Sequence, residues 1–365
     1  MIPVHFFYPY PDELVQLNEL RLDDWRPWSD PRYSRRRAWI VQTYLRLLES
    51  GHPVSITPSL PDDGIVVLLP DRYMRSRFLR AEPHRNPSLF VVTIRADVRG
   101  YREFFADAEI VQNGRFADRD GAFFIPHWPQ PGIIPRQSSR GDTLDTVAFK
   151  GRVGSLLEGF QSDSWRHELD ALGVEFVVDA PHNGSLPDWH DYSDVDLVLA
   201  VREDFSDGSH RADKPASKLV NAWHAGVPAL LGPEHAFREL RQSDLDFVEV
   251  QSPDDAVAAI ARLKRDHYRY RAMRDHCRMR AADLTPERIT GRWAEVLFEE
   301  LPRIIRQRRI RQSSLVSPRV RRVINLVAAP PSPLELRKMI GEALRSSKSF
   351  VRAGGGQDVR IKRRA

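Results

Sequence analysis

Short apolar runs separated by helix-patterned stretches constrain this chain more than any other feature. PVSIT, GIVVLLP, SLFVVTIRAD and EIVQN follow one another within residues 53–113. A second series, LDTVAFKG, VEFVVDA, VDLVLAVR, PALLG and FVEVQS, occupies residues 144–252. Runs this continuously apolar suit strands buried on both faces, and such strands form parallel sheets covered by helices. The stretches between them supply helices. RRRAWIVQTYLRLLESG starts beside Ser34 and stops before Gly51, with Ile40, Tyr44, Leu47 and Leu48 on one face. DSWRHELDALG and DDAVAAIARLKRD read as helices too.

The two series are joined by PHWPQPGIIPRQSSRGDT, residues 126–143, whose four prolines mark a linker. A length of 365 residues is also long for one core. The expected architecture is therefore α/β, with two Rossmann-like parallel-sheet domains facing a cleft. The first spans 1–135 and the second 136–285. Helices follow over 286–312, interrupted at Pro302, and a basic extension covers 313–365. Ligands of such sheets bind at the carboxyl ends of the strands, which here border the cleft.

Composition narrows the class. The chain is 41% hydrophobic and 29% charged. It has no apolar run near the roughly 20 residues a membrane helix requires. The opening MIPVHFFYPYPDEL lacks the basic and apolar regions of a signal peptide. A single cysteine, Cys277, excludes an internal disulfide. Cytoplasmic residence is the expectation. The net charge of +5 is unevenly spread: residues 301–365 hold 17 Lys/Arg and 3 Asp/Glu, or +14, leaving −9 for residues 1–300. An acidic body argues against nucleic acid as a partner. The tail is a candidate for an anionic membrane surface at the inner face, or is simply solvated.

The segment KPASKLVNAWHAGVPALLG, residues 214–232, carries the chemistry. Pro215 and Gly226 bracket a helix expected over about 215–225. Leu219, Ala222 and Trp223 share the face that packs on the sheet, while Lys218 and Asn221 share another, with Lys214 and Ser217 close by. Free backbone N–H groups and the positive dipole end complete a site for a compact dianion. A surface helix with solvated lysines has the same spacing, so spacing leaves both readings open.

This segment resembles the donor-binding half of GT-B glycosyltransferases of the family 1/4 kind, in which an acidic-x7-Glu helix precedes Ala-x3-Gly-x-Pro and an apolar strand. Aligned on Ala222, Gly226 and Pro228, the chain puts Asp213 and Asn221 where those enzymes have two glutamates. Ser217-Lys218-Leu219 is similar to the variant whose lysine meets the donor phosphate. FKGRVGSL resembles the family's Gly-rich turn, with Gly151 and Arg152 near phosphate. The stretch from Trp189 to Asp204 resembles its Tyr-x-x-x-Asp element, leaving Arg202 at a strand end, where an ion pair with Glu203 or Asp204 is an equal alternative.

In the first half, TIRADVRGYREFFADAEIVQNG resembles the family's acceptor-side domain, with Arg95 and Asp97 just past one strand and Asn113 past the next. Asp97 is the candidate base or acceptor-orienting group, or a helix N-cap. Trp128 either stacks on a sugar or packs in the hinge, with packing favoured.

The resemblance implies transfer of a hexosyl or related sugar from a nucleotide-diphosphate sugar to an acceptor hydroxyl, without a metal ion. Lys218 and Lys214 would hold the diphosphate, helped by Arg152, and Asn221 would contact ribose or sugar. No cofactor beyond the nucleotide-sugar co-substrate is implied. The acceptor is left open as a glycan, a lipid-linked molecule or a small molecule. Two other readings stay open: a GT-B-shaped scaffold without catalysis, kept alive by Asn221, and a membrane-surface enzyme recruited by its tail.

Other motifs point elsewhere only weakly. Asp194-Val195-Asp196 and Asp244-Leu245-Asp246 match a metal-binding Asp-x-Asp, but both precede strands and fit turns. Twelve histidines include no HExxH or zinc spacing. No GxSxG, P-loop or GxGxxG occurs.

Overall fold

In the computed structural model, two parallel sheets stand where the two apolar series predict them. The structure describes residues 1–29, 34–70, 86, 88–96, 102–103, 105–117, 120–180, 186–202 and 214–312. Asp97, Asp213 and the extension from 313 lie outside the described residues.

The first sheet has six strands in the order β2-β1-β3-β4-β5-β6. They are β1 (Val4–Phe7), β2 (Val54–Thr57), β3 (Gly64–Leu68), β4 (Leu89–Arg95), β5 (Ala108–Val111) and β6 (Ala122–Phe124). All pairings are parallel, with Val4 of β1 opposite Val54 on one side and Ile65 on the other. The interior β3, β4 and β5 are buried along their whole length, and the charges among them, Arg95 and Glu109, pair with each other at 3.3 Å. Neither β1 nor β6 is among the predicted strands. VHFF is interrupted by a polar His5, and AFF is only three residues long.

The second sheet has the order β11-β10-β9-β7-β8. Its strands are β7 (Thr146–Lys150), β8 (Glu175–Asp179), β9 (Leu197–Ala200), β10 (Ala229–Leu231) and β11 (Val248–Glu249). Two of its helices carry side-chain caps: Ser162 accepts from the Trp165 N–H, and Ser252 forms a capping box with Asp255.

Two expectations need correction. The helix from Ser34 to Glu49 contains a π-turn at Arg37–Val41, and Leu48 is 46% exposed while Leu47 is buried. The extra residue in the wide turn changes which side chains meet the core. Pro302 does not break its helix. Pro286–Glu295 continues through a π-turn, Val296–Glu300, into Leu301–Gln312. The Leu301 N–H reaches back to the Val296 carbonyl. Widening the turn just before the proline accommodates its missing donor and bulky ring.

These last helices cross back to the first lobe. Ile289, Trp293, Val296, Leu297, Leu301 and Ile305 join the apolar core of Phe6, Trp39, Leu47 and Ile65. Among the described residues no helix is long and apolar enough to cross a membrane.

The second aspartate of each Asp-x-Asp motif is consumed by internal bonds. Asp196, fully buried, accepts from Arg136 Nε at 2.9 Å, Arg140 Nη2 at 2.7 Å and the backbone N–H groups of Asp145 and Thr146. Asp246 accepts from the N–H groups of Gln242 and Ser243, both at 2.7 Å, and faces His276 and Arg280. The first knot anchors the interdomain linker to β9, and the second closes the turn before β11.

Candidate functional site: a cationic cleft between the lobes

The carboxyl ends of both sheets border a cleft of about 740 Å³. Among the described residues its lining contains seven Lys/Arg side chains, Arg35, Arg36, Lys150, Arg152, Arg202, Lys214 and Lys218, and no Asp or Glu. Gly151, Ser217 and Asn221 also line it. The seven residues expected on the donor side, Gly151, Arg152, Arg202, Lys214, Ser217, Lys218 and Asn221, thus share one cavity wall. Arg95 and Asn113 do not reach it. Arg95 pairs with buried Glu109 at 3.3 Å, and Asn113 borders a separate small hollow.

The helix carrying Lys218 runs over Ser217–Ala225, two residues shorter at its start than predicted. Gly226 closes it in the left-handed conformation with φ of 69°, which only glycine adopts cheaply. Leu219, Val220, Ala222 and Trp223 bury the sheet-facing side. Among the described residues no side chain caps the amino end, which borders the cleft at Ser217 and Lys218.

Lys218 keeps part of its stem open to the cleft, yet protein atoms crowd its ammonium. Nζ donates to the backbone carbonyl of Lys150 and lies 4.6 Å from the centre of the Phe149 ring. Burial, then repulsion from Arg202 and Lys150, lowers its pKa to about 7 despite attraction from Glu234 and Asp179. Gly151 makes this placement possible: a Cβ there would sit 2.7 Å from the Lys218 ammonium and 3.1 Å from Phe149. The glycine of the turn admits a lysine.

Behind this wall lie two acids, Asp179 and Glu234. Lys150 Nζ contacts Asp179 Oδ2 at 3.1 Å and the Asp188 carbonyl at 2.9 Å, and it sits 5.0 Å from the centre of the Tyr192 ring. Arg202 pairs with Glu234 at 2.9 Å, while Glu203 and Asp204, the partners weighed from the sequence, lie outside the described residues. Burial raises the Glu234 pKa, opposed by Arg202, Lys218 and Lys214. Neither Lys150, Asp179 nor Glu234 is a predicted site residue. Lys150 ends a strand beside the Gly turn, a signal that was readable; Glu234 sits in a loop after β10 and carries none.

Asn221 ties the helix to the interdomain segment. Its Oδ1 accepts the Gln130 N–H at 2.9 Å, and the Tyr192 hydroxyl is hydrogen-bonded to the same side chain. Trp128 packs, as favoured: it is 1% exposed, its Nε1 donates to Thr43 Oγ1 at 3.0 Å, and Arg46 stacks 5.0 Å from its ring centre.

No protein-family model and no curated protein sequence matches this chain. Among solved structures, sucrose-phosphate synthase from Thermosynechococcus elongatus aligns over 86% of this chain and all of its own, with a TM-score of 0.53 and 10% identity. HepE from Anabaena, in complex with UDP and glucose, aligns over 81% of this chain and 99% of its own, with a TM-score of 0.48 and 12% identity. TarM aligns over 71% of this chain at 10% identity and a TM-score of 0.47, and the chain spans only 58% of TarM's length. The likeness to the synthase is one of fold. Two parallel-sheet lobes around an interlobe cleft make this the GT-B fold that the resemblance implied.

Proposed function

We propose that this GT-B-fold chain is a glycosyltransferase that moves a sugar from a nucleotide-diphosphate donor to an acceptor hydroxyl. The observation that carries the reading is the cleft wall, whose described residues include seven cations and no carboxylate at the carboxyl ends of two facing sheets. Lys218, Lys214, Arg152 and Arg202 hold the diphosphate, assisted by Ser217, the backbone at Gly151 and the open helix terminus. When the glycosidic bond breaks, negative charge grows on the leaving diphosphate. Cations already in place stabilise that state more than the ground state, and one well-placed donor is worth about 3 kcal/mol. The same cations do the work of a divalent ion, so transfer proceeds without one.

Asn221, held by Gln130 and Tyr192, keeps a lone pair for a ribose or sugar hydroxyl. The first lobe presents the acceptor, with Asp97 as base or orienting group. Closure of the cleft excludes water, which would otherwise hydrolyse the donor.

Thermal shift with UDP, GDP and inorganic pyrophosphate, with and without a chelator, tests this. Stabilisation by several degrees that survives the chelator is expected. Indifference to all three anions refutes the reading. A second reading, a binding scaffold, draws on Asn221: the position that the resemblance gives to a sugar-gripping glutamate is engaged in an interlobe hydrogen bond. A scaffold would bind these anions without turning over any nucleotide sugar.

A further inference from the structure

Outside the cleft lining the two lobes also meet through one carboxylate. Glu239 belongs to the short helix His235–Leu240 of the second lobe. Its Oε2 accepts the Gly114 N–H at 2.8 Å, and its Oε1 accepts the Arg115 N–H at 3.1 Å. Both donors open the single 3-10 turn, Gly114–Phe116, that follows β5 of the first lobe. Each bond has an ionised acceptor and is stronger than one between neutral groups. A bond made only while the lobes touch favours that arrangement over any in which they part.

The same corner carries an opposing cost. Asn113, one residue before Gly114, is 1% exposed, and no described protein group bonds either end of its amide. It borders a hollow of about 20 Å³ whose second-lobe walls are Ala216, Val220, Ala236, Glu239 and Leu240. That is room for about one water. Parting the lobes returns the amide to bulk solvent. Contact therefore gains two charge-assisted bonds and loses most of the hydration of one amide, terms of similar size and opposite sign. Such a balance suits a contact that opens and shuts.

The helix His235–Leu240 links this corner to the donor wall. Its N-cap residue is Glu234, whose carboxylate backs Arg202 at 2.9 Å, and Ala236 and Phe237 anchor the helix in the second lobe's core. His127 borders both the hollow and the cleft.

We infer that Glu239 is a positioning residue that holds the lobes together around the cleft, and that Asn113 supplies the opposing cost that lets them part. This rests on the glycosyltransferase reading only in taking a diphosphate as the ligand that the closed cleft retains.

Small-angle scattering and isothermal titration with inorganic pyrophosphate test this on the full chain. Ligand-free Glu239→Ala should have a larger radius of gyration than ligand-free wild type, and pyrophosphate should shrink it. Its affinity for pyrophosphate should be roughly fivefold lower, because fewer molecules hold the closed cleft before the anion arrives. The direction of that change is diagnostic. Removing a negative charge by itself favours an anion, so weaker binding has to come from lost closure. The melting temperature should stay within roughly 2 °C of wild type, as for a surface substitution. Asn113→Leu should be at least as compact as wild type and bind pyrophosphate at least as tightly.

Wild-type dimensions in Glu239→Ala, or equal or tighter pyrophosphate binding, overturn the inference. So does a large drop in its melting temperature, which would make Glu239 a support of the fold at large, or an Asn113→Leu chain more open than wild type. Failure of wild type to bind pyrophosphate overturns the glycosyltransferase reading, while the ligand-free dimensions still decide the role of Glu239.

Discussion

Arg202 Nη1 donates to Glu234 Oε2 at 2.9 Å behind the cleft wall, the two side chains being 9% and 2% exposed. The arginine presents charge to the cleft while the glutamate, hidden from it, makes that charge tolerable when the site is empty. Breaking such a pair leaves an uncompensated buried cation. Glu234→Gln should lower unfolding free energy by about 3 kcal/mol, and Arg202→Met/Glu234→Leu should cost less than the single change. Urea denaturation measures both, and an unchanged midpoint in Glu234→Gln contradicts this account.

Lys218→Ala should weaken pyrophosphate binding by about 2 kcal/mol or more, the worth of a charge-assisted bond in a shielded site. Stability of the ligand-free protein near neutral pH should not fall, because the crowded ammonium is costly to bury. Gly151→Ala makes the sharper case. Its methyl would occupy the space of the Lys218 ammonium, so it should reproduce the binding loss with the lysine still in place. Wild-type affinity in Gly151→Ala would show that the close approach is not needed.

With its pKa at about 7, Lys218 gains a proton when a diphosphate arrives, because the anion raises that pKa. Affinity should therefore be full below pH 7 and fall toward tenfold per pH unit above it, until the pKa of the complex is passed. Calorimetry in buffers of different ionisation heat should detect proton uptake on binding at pH 8. Without ligand the sign reverses. The unfolded lysine holds its proton up to about pH 10.4, so Lys218 makes stability rise with pH from about 7 toward that value. A pH-independent affinity between 7 and 9 is the contrary result.

Asn221→Ala should cost about 1 kcal/mol, because the Gln130 N–H loses its acceptor. Asn221→Asp retains an acceptor and should fold as well as wild type. It places a carboxylate on a wall that has none among its described residues, however, so pyrophosphate should bind several-fold more weakly. Equal pyrophosphate affinity in Asn221→Asp and wild type would mean that residue 221 stands clear of the anion.

What could be read locally was read. VDLVLAVR and PALLG declare buried strands because interior parallel strands tolerate no polar face, and Gly226 declares a helix end because its φ is positive. VHFF was missed although β1 is an interior strand, since four residues with a histidine among them carry no period. Leu48 was misplaced because a π-turn shifts the helical phase, and no residue type announces one.

The amino-acid order by itself determined two parallel α/β lobes, their Pro-rich junction and a helix that begins with lysines. These follow from short-range periodicity and from the backbone preferences of Gly and Pro. Only the tertiary structure decided that Lys218 reaches the Lys150 carbonyl through the space Gly151 leaves, and that Glu234 backs Arg202. It alone set Arg35 and Arg36 opposite them and brought Trp293 back beneath Phe6. Those relations join residues tens to hundreds of positions apart. They are settled by how sheets and helices pack, and that packing leaves no mark in any local stretch of chain.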